Sequence, residues 1–115
     1  MIALVDKHFL ILLAGYGFIS VLAGIMLRTY PPKKINSFYG YSSYRSRKNK
    51  IYWFKAQQFA AKYILQIGLI SLFCAPLDLL EIFFPFWSAA FGLTFIAITI
   101  VWLILKVENG LKALE

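Results

Sequence analysis

Between Lys7 and Asp78 the chain has no acidic residue, and only five occur in all 115 positions. Charged residues of both signs make up 15% of the sequence, against about a quarter in soluble domains. The single cysteine, Cys74, excludes an intramolecular disulfide and leaves the redox compartment open. Lying in an apolar run, it reads as a small packing residue. The single histidine, His8, has no Cys or His partner, so no metal ligand set and no cofactor is expected. There is no nucleophile–base pair and no glycine-rich phosphate loop. The acids and bases on offer, His8, Asp78, Glu81 and Glu108, lie at the edges of apolar segments without a companion. No catalytic residue is assigned, and a non-enzymatic protein is expected.

What the chain has in excess is apolar surface: 61% hydrophobic residues, 18% aromatic, mean hydropathy +0.72. A soluble domain this small buries only about 60% of what its unfolded chain exposes, too little to hide so much. Lipid removes the difficulty. Phe9 to Leu27 is an uncharged run of nineteen residues, roughly 30 Å as a helix and about one hydrocarbon core. Asp6 and the absence of a small-x-small site before Arg28 favour a retained span over a signal peptide. A second span runs from about 60 to 75, its helix starting near 47 with Ser46 as N-cap. The projecting first turns mix Tyr52, Trp53 and Phe54 with Lys48, Lys50 and Lys55, a composition suited to the headgroup region. A short connection, 76–85, carries Asp78 and Glu81 and reads as solvated interfacial turns. The third span runs from about 86 to 105, followed by a polar tail, 106–115. The expectation is one all-α integral membrane domain, with three transmembrane helices and an ordered basic loop between the first two.

Nine of the twelve Lys and Arg residues lie between Arg28 and Lys62, whereas the 76–85 connection has none. This asymmetry predicts a cytoplasmic loop, an N-terminus outside and a C-terminus inside, in agreement with Lys106 and Lys112. The net charge of +7 points to membrane lipids as partners rather than nucleic acid, since no reader module fits between the spans. Small residues recur at helix-packing spacing: Gly17, Ser20 and Gly24, then Gly68, Ser71 and Ala75, then Ser88 and Gly92. Packing within the chain is the favoured reading; an oligomer stays open. Polar groups within the spans are Gln66, Ser20, Ser71, Thr94 and Thr99. Gln66 is expected to bond a neighbouring helix.

The loop is too aromatic for a disordered linker. Pro31 and Pro32 stop the first helix, Asn36 and Ser37 favour local turn bonds, and Gly40 permits a left-handed backbone. Tyr30, Phe38, Tyr39, Tyr41 and Tyr44 add anchors, and the amides and guanidinium groups suit an anionic headgroup or phosphate.

Here the chain resembles the SdpI family of bacterial membrane proteins. The family pattern is approximately P-x-x-x-N-x-x-x-G-Y-R-T-x-x-S-x-x-N-x-x-x-W-x-x-A-N/H. This sequence supplies Pro32, Asn36, Gly40, Tyr41, Ser46, Asn49, Trp53 and Ala56 in register, within a likeness covering about 28–106. Ser42 and Ser43 replace the usual Arg-Thr, leaving Arg45 as the nearest guanidinium. The founding immunity protein is longer, with spans before this unit. The resemblance implies a bacterial cell-membrane protein protecting against a secreted, membrane-active peptide toxin, with signalling through a cytoplasmic protein partner. A lipid- or ligand-binding module and a transporter accessory are the alternatives. Asn36, Gly40, Tyr41, Arg45, Ser46, Asn49 and Trp53 are the candidate binding residues.

Overall fold

The computed structural model describes residues 8–36, 38–80 and 85–114; Ser37, Glu81 and Asp6 lie outside them. The first apolar run forms α1 (His8–Thr29), α2 is Lys50–Cys74, and α3 is Pro85–Lys112. All three are long and apolar enough to cross a bilayer, and no strand occurs among the described residues. The long axis of 54 Å exceeds a hydrocarbon core of about 30 Å, so the helix ends and the loop extend beyond it. The chain is an all-α integral membrane protein with three transmembrane helices.

α1 and α2 pack so closely that small residues are required at their seam. A Cβ on Gly17 would lie 2.9 Å from the Gly68 carbonyl oxygen, and one on Gly68 would lie 2.8 Å from the Val21 nitrogen. Close backbone approach through small residues is how helices gain van der Waals contact without a hydrophobic driving force. Ser20, Gly24, Ser71, Ala75, Ser88 and Gly92 are buried as well, so the small-residue stripes serve packing within the chain. Tyr16 on α1 and Thr99 on α3 join their hydroxyls at 2.7 Å. Phe18, Phe73, Trp87, Ile98 and Leu105 face outward, as lipid-facing side chains do.

Four expectations change. First, α2 starts at Lys50 rather than near 47. Its N-cap is Asn49, whose Oδ1 accepts the Tyr52 N–H at 2.9 Å. The Ser46 hydroxyl is engaged elsewhere, as described below. Second, α3 does not end at Leu105. The polar tail is helical to Lys112 because Val107 and Leu111, four residues apart, are fully buried against Leu27, Tyr52, Ala56 and Ala60. Third, Asp78 is not solvated. A 3₁₀ turn, Ala75–Leu80, carries it inward to 1% exposure. Its Oδ2 accepts the Leu10 N–H at 3.1 Å and the Ser88 hydroxyl at 3.2 Å, and that hydroxyl accepts the Phe9 N–H at 2.7 Å. The first amides of a helix have no intrahelical acceptor, and Asp78 supplies one from another element. Fourth, Gln66 is exposed and makes no helix–helix bond among the described residues.

Candidate functional site

The loop from Tyr30 to Asn49 folds across the basic end of the bundle, and nearly every sequence candidate is spent in holding it there. Pro31 and Pro32 end α1, and the Pro32 carbonyl accepts the Trp53 indole N–H at 2.9 Å. Trp53 and Tyr52 are therefore buried beneath the loop rather than facing headgroups as their sequence context predicts. Asn36 makes an Asx-type turn: its Oδ1 accepts the N–H groups of Phe38 and Tyr39 at 2.9 and 2.8 Å, and its amide donates to the Lys34 carbonyl at 2.8 Å. The Tyr39 hydroxyl donates to the Tyr30 carbonyl at 2.6 Å and lies 3.2 Å from that of Met26, tying the loop to the end of α1.

Gly40 has φ +90°, where an L side chain is strained. Space enforces glycine too, since a Cβ would meet Gln57 Oε1 at 2.5 Å and Pro32 Cγ at 2.8 Å. The turn lets Tyr41 reach Gln57 with both backbone groups. Its N–H donates to Gln57 Oε1 and its carbonyl accepts from Gln57 Nε2, each at 2.8 Å. The clasp is strand-like, but one side is a side chain that is only 1% exposed. Beyond it, the Tyr41 hydroxyl donates to Glu108 Oε1 at 2.7 Å and Arg45 Nη1 donates to Glu108 Oε2 at 2.9 Å. Glu108, without a companion on sequence grounds, thus has Tyr41 and Arg45 against it. Burial, then the hydrogen bond and negative charge of Glu108, push the Tyr41 phenol well above its ordinary range, against a smaller opposing pull from Ser43 and Arg45. It stays a protonated donor at neutral pH.

Ser43 and Ser46 close the next turn reciprocally: the Ser43 N–H donates to Ser46 Oγ at 2.7 Å and the Ser46 N–H to Ser43 Oγ at 3.1 Å. This engagement, with Ser46 fully buried, is why Ser46 does not cap α2. Under the loop lies one apolar cluster drawn from all three helices, with Tyr39 and Tyr41 packed on it. Tyr63 on α2 meets Trp102 on α3 edge-on at 5.4 Å, with Lys62 and Lys106 over their rings at 5.5 and 5.9 Å. Such aromatic–cation rows belong at a membrane interface.

Six of the seven candidates, Asn36, Gly40, Tyr41, Ser46, Asn49 and Trp53, therefore build the cap. Arg45 both latches it and opens onto a groove of 830 Å³ beside α3. The groove also has Tyr44, Arg47, Lys48, Ile104 and Glu108 on its walls. Three cations against one carboxylate leave it two positive charges, and Tyr44, Arg47 and Lys48 are exposed. It suits an anionic group with an apolar neighbour. Phe38, wholly exposed, projects from the Asx turn. Sequence reasoning missed Gln57 and the partners of Glu108. The signal for Gln57 was available, because it stands where the family pattern ends in an Asn or His.

Three apolar helices with a folded loop closing one end define a multi-pass helical membrane protein. The SdpI/YfhL protein family model matches residues 33–107, taking in the capping loop, α2 and most of α3, and the chain belongs to that family. The uncharacterized protein YfhL of Bacillus subtilis (strain 168) is 37% identical over 54 residues, 47% of this chain and 49% of that protein. The chain thus spans about half the length of the curated relative it matches. No solved structure matches.

Proposed function

We propose that the chain is a non-enzymatic protein of the bacterial cell membrane that protects the cell against a secreted, membrane-active peptide. Its basic end faces the cytoplasm and receives a protein partner. One observation carries the reading: the motif residues turn inward and make a fixed platform, leaving the groove walled by Tyr44, Arg47 and Lys48 as the presented surface. A prearranged surface suits holding a partner, because little ordering cost remains at binding. The excess positive charge favours an acidic segment. Membership in the SdpI/YfhL family supports protection, and the concentration of Lys and Arg at one end supports the orientation.

The test is expression in a bacterium sensitive to such a peptide, with the dose that halves growth as the readout. The expected result is a higher dose for cells carrying the chain. The Arg47→Gln/Lys48→Gln double variant should lose this gain while reaching the membrane in equal amount. An unchanged dose across secreted peptides, with the protein verified in the membrane, removes the protective role. A reporter fused within the loop that is active only outside the cell removes the orientation.

A further inference from the structure

A second groove, of 520 Å³, runs between α1 and α2, reaches Pro31 at the start of the loop, and shares no lining residue with the first. Arg28 comes from the last turn of α1, and Gln58, Lys62 and Gln66 come from α2, with Leu27 and Leu65 as the apolar wall. Gln58, Lys62 and Gln66 are four residues apart, which sets them in one stripe down α2. All three are exposed. On neighbouring outward positions α2 shows Leu69, Ile70 and Phe73, the residues a lipid-facing helix needs.

A polar stripe descending into hydrocarbon requires partners, since no water is there to supply them. α1 does not supply them, as Gln66 is exposed and bonds no helix among the described residues. The charge is equally one-sided: two cations and no carboxylate line the groove. Lys62 lies over the Tyr63 ring at 5.5 Å, at the level of the interfacial aromatic row. From Lys62 to Gln66 is one helical turn, about 6 Å. The headgroup and glycerol layer of one leaflet is about 5–8 Å thick. The stripe therefore offers cations at phosphate depth and an amide at ester depth, beside an apolar wall.

We infer that the α1–α2 groove seats one anionic glycerophospholipid. Its phosphate lies between Arg28 and Lys62, an ester carbonyl accepts from the Gln66 amide, and an acyl chain follows Leu65 into the bilayer. The inference is independent of the protective role, as it uses none of the capping-loop groove.

Native mass spectrometry of the full chain, titrated in detergent with phosphatidylglycerol and with phosphatidylcholine, tests it. One phosphatidylglycerol should be retained about 25-fold more tightly than phosphatidylcholine, given two cations at about fivefold each. Lys62→Gln should weaken retention about fivefold and Lys62→Arg should restore it. Gln66→Leu, which changes no charge at a lipid-facing position, should weaken it about threefold. Lys34→Gln, the same charge removed outside the groove, should leave it unchanged. Equal retention of the two lipids overturns the inference, as does an equal loss in Lys34→Gln, which would mean diffuse attraction. Displacement by soluble glycerol phosphate would assign the groove to a free anion. A dimer mass lost in Gln66→Leu would assign it to a second copy.

Discussion

The Gln57–Tyr41 clasp offers the sharpest test of how the loop is held. Gln57→Leu keeps the volume and the apolar packing of a buried side chain, and removes only the two 2.8 Å hydrogen bonds. The Tyr41 N–H and carbonyl then lose their partner in a partly buried place, at about 1–2 kcal/mol each, or about 2–4 kcal/mol together. That raises the population of the open loop roughly 30- to 1,000-fold. Limited trypsin digestion in micelles reads this directly, because Arg45, Arg47 and Lys48 lie within the loop and cleavage follows the open fraction when opening is fast. Gln57→Glu should open the loop at least as far as Gln57→Leu at neutral pH, since a buried carboxylate is desolvated and cannot donate to the Tyr41 carbonyl. Cleavage of Gln57→Leu within threefold of the parent would refute the clasp as what holds the loop.

Other outcomes follow from single contacts. Gly40→Ala should destabilise the cap by about 1–3 kcal/mol, through strain at φ +90° and collision with Gln57 and Pro32; the same digestion measures it. Because the folded Tyr41 phenol holds its proton more tightly than an ordinary phenol, its contribution to cap stability is complete below about pH 10 and is lost as pH rises above that. An alkaline absorbance titration should show a late tyrosinate component that disappears in Tyr41→Phe. Asp78→Ala should free the Leu10 amide at a cost of about 1–3 kcal/mol, seen as faster hydrogen exchange confined to the first turn of α1.

The first and third spans were legible because each is a long apolar run whose length matches a bilayer, and the second because a shorter run continues an unbroken helix. The stripes Gly17–Ser20–Gly24 and Gly68–Ser71–Ala75 were legible as a seam because helix periodicity is local. The cap was half legible. A family pattern marked its residues, yet pattern does not say which way a side chain turns. Tyr41, Ser46 and Trp53 point inward because their partners, Glu108, Ser43 and Pro32, accept or donate there. Ser46 and Asn49 are equally able N-caps by residue type, and the contact with Ser43 decides between them. Asp78 and Glu108 looked solitary for one reason: their partners lie outside the local helical spacing, Ser88 and Leu10 at 10 and 68 residues from Asp78, and Tyr41 at 67 from Glu108. Gln66 misled in the opposite direction, since a membrane glutamine is usually satisfied by another helix and here faces outward.

The ion pair between Arg45 and Glu108 spans 63 residues of chain, which gives the molecule a calendar as well as a shape. A ribosome adding about 5–20 residues per second leaves Arg45 without its carboxylate for roughly 3–13 s after it is made. Within that interval α2 is completed at Cys74 and the Gln57 clasp can form, but the lock waits for the third helix. Truncating the chain just before Glu108 would keep the Gln57 clasp but leave Tyr41 and Arg45 without their shared carboxylate. The C-terminal turns of α3 thus finish a cap that the loop and α2 begin.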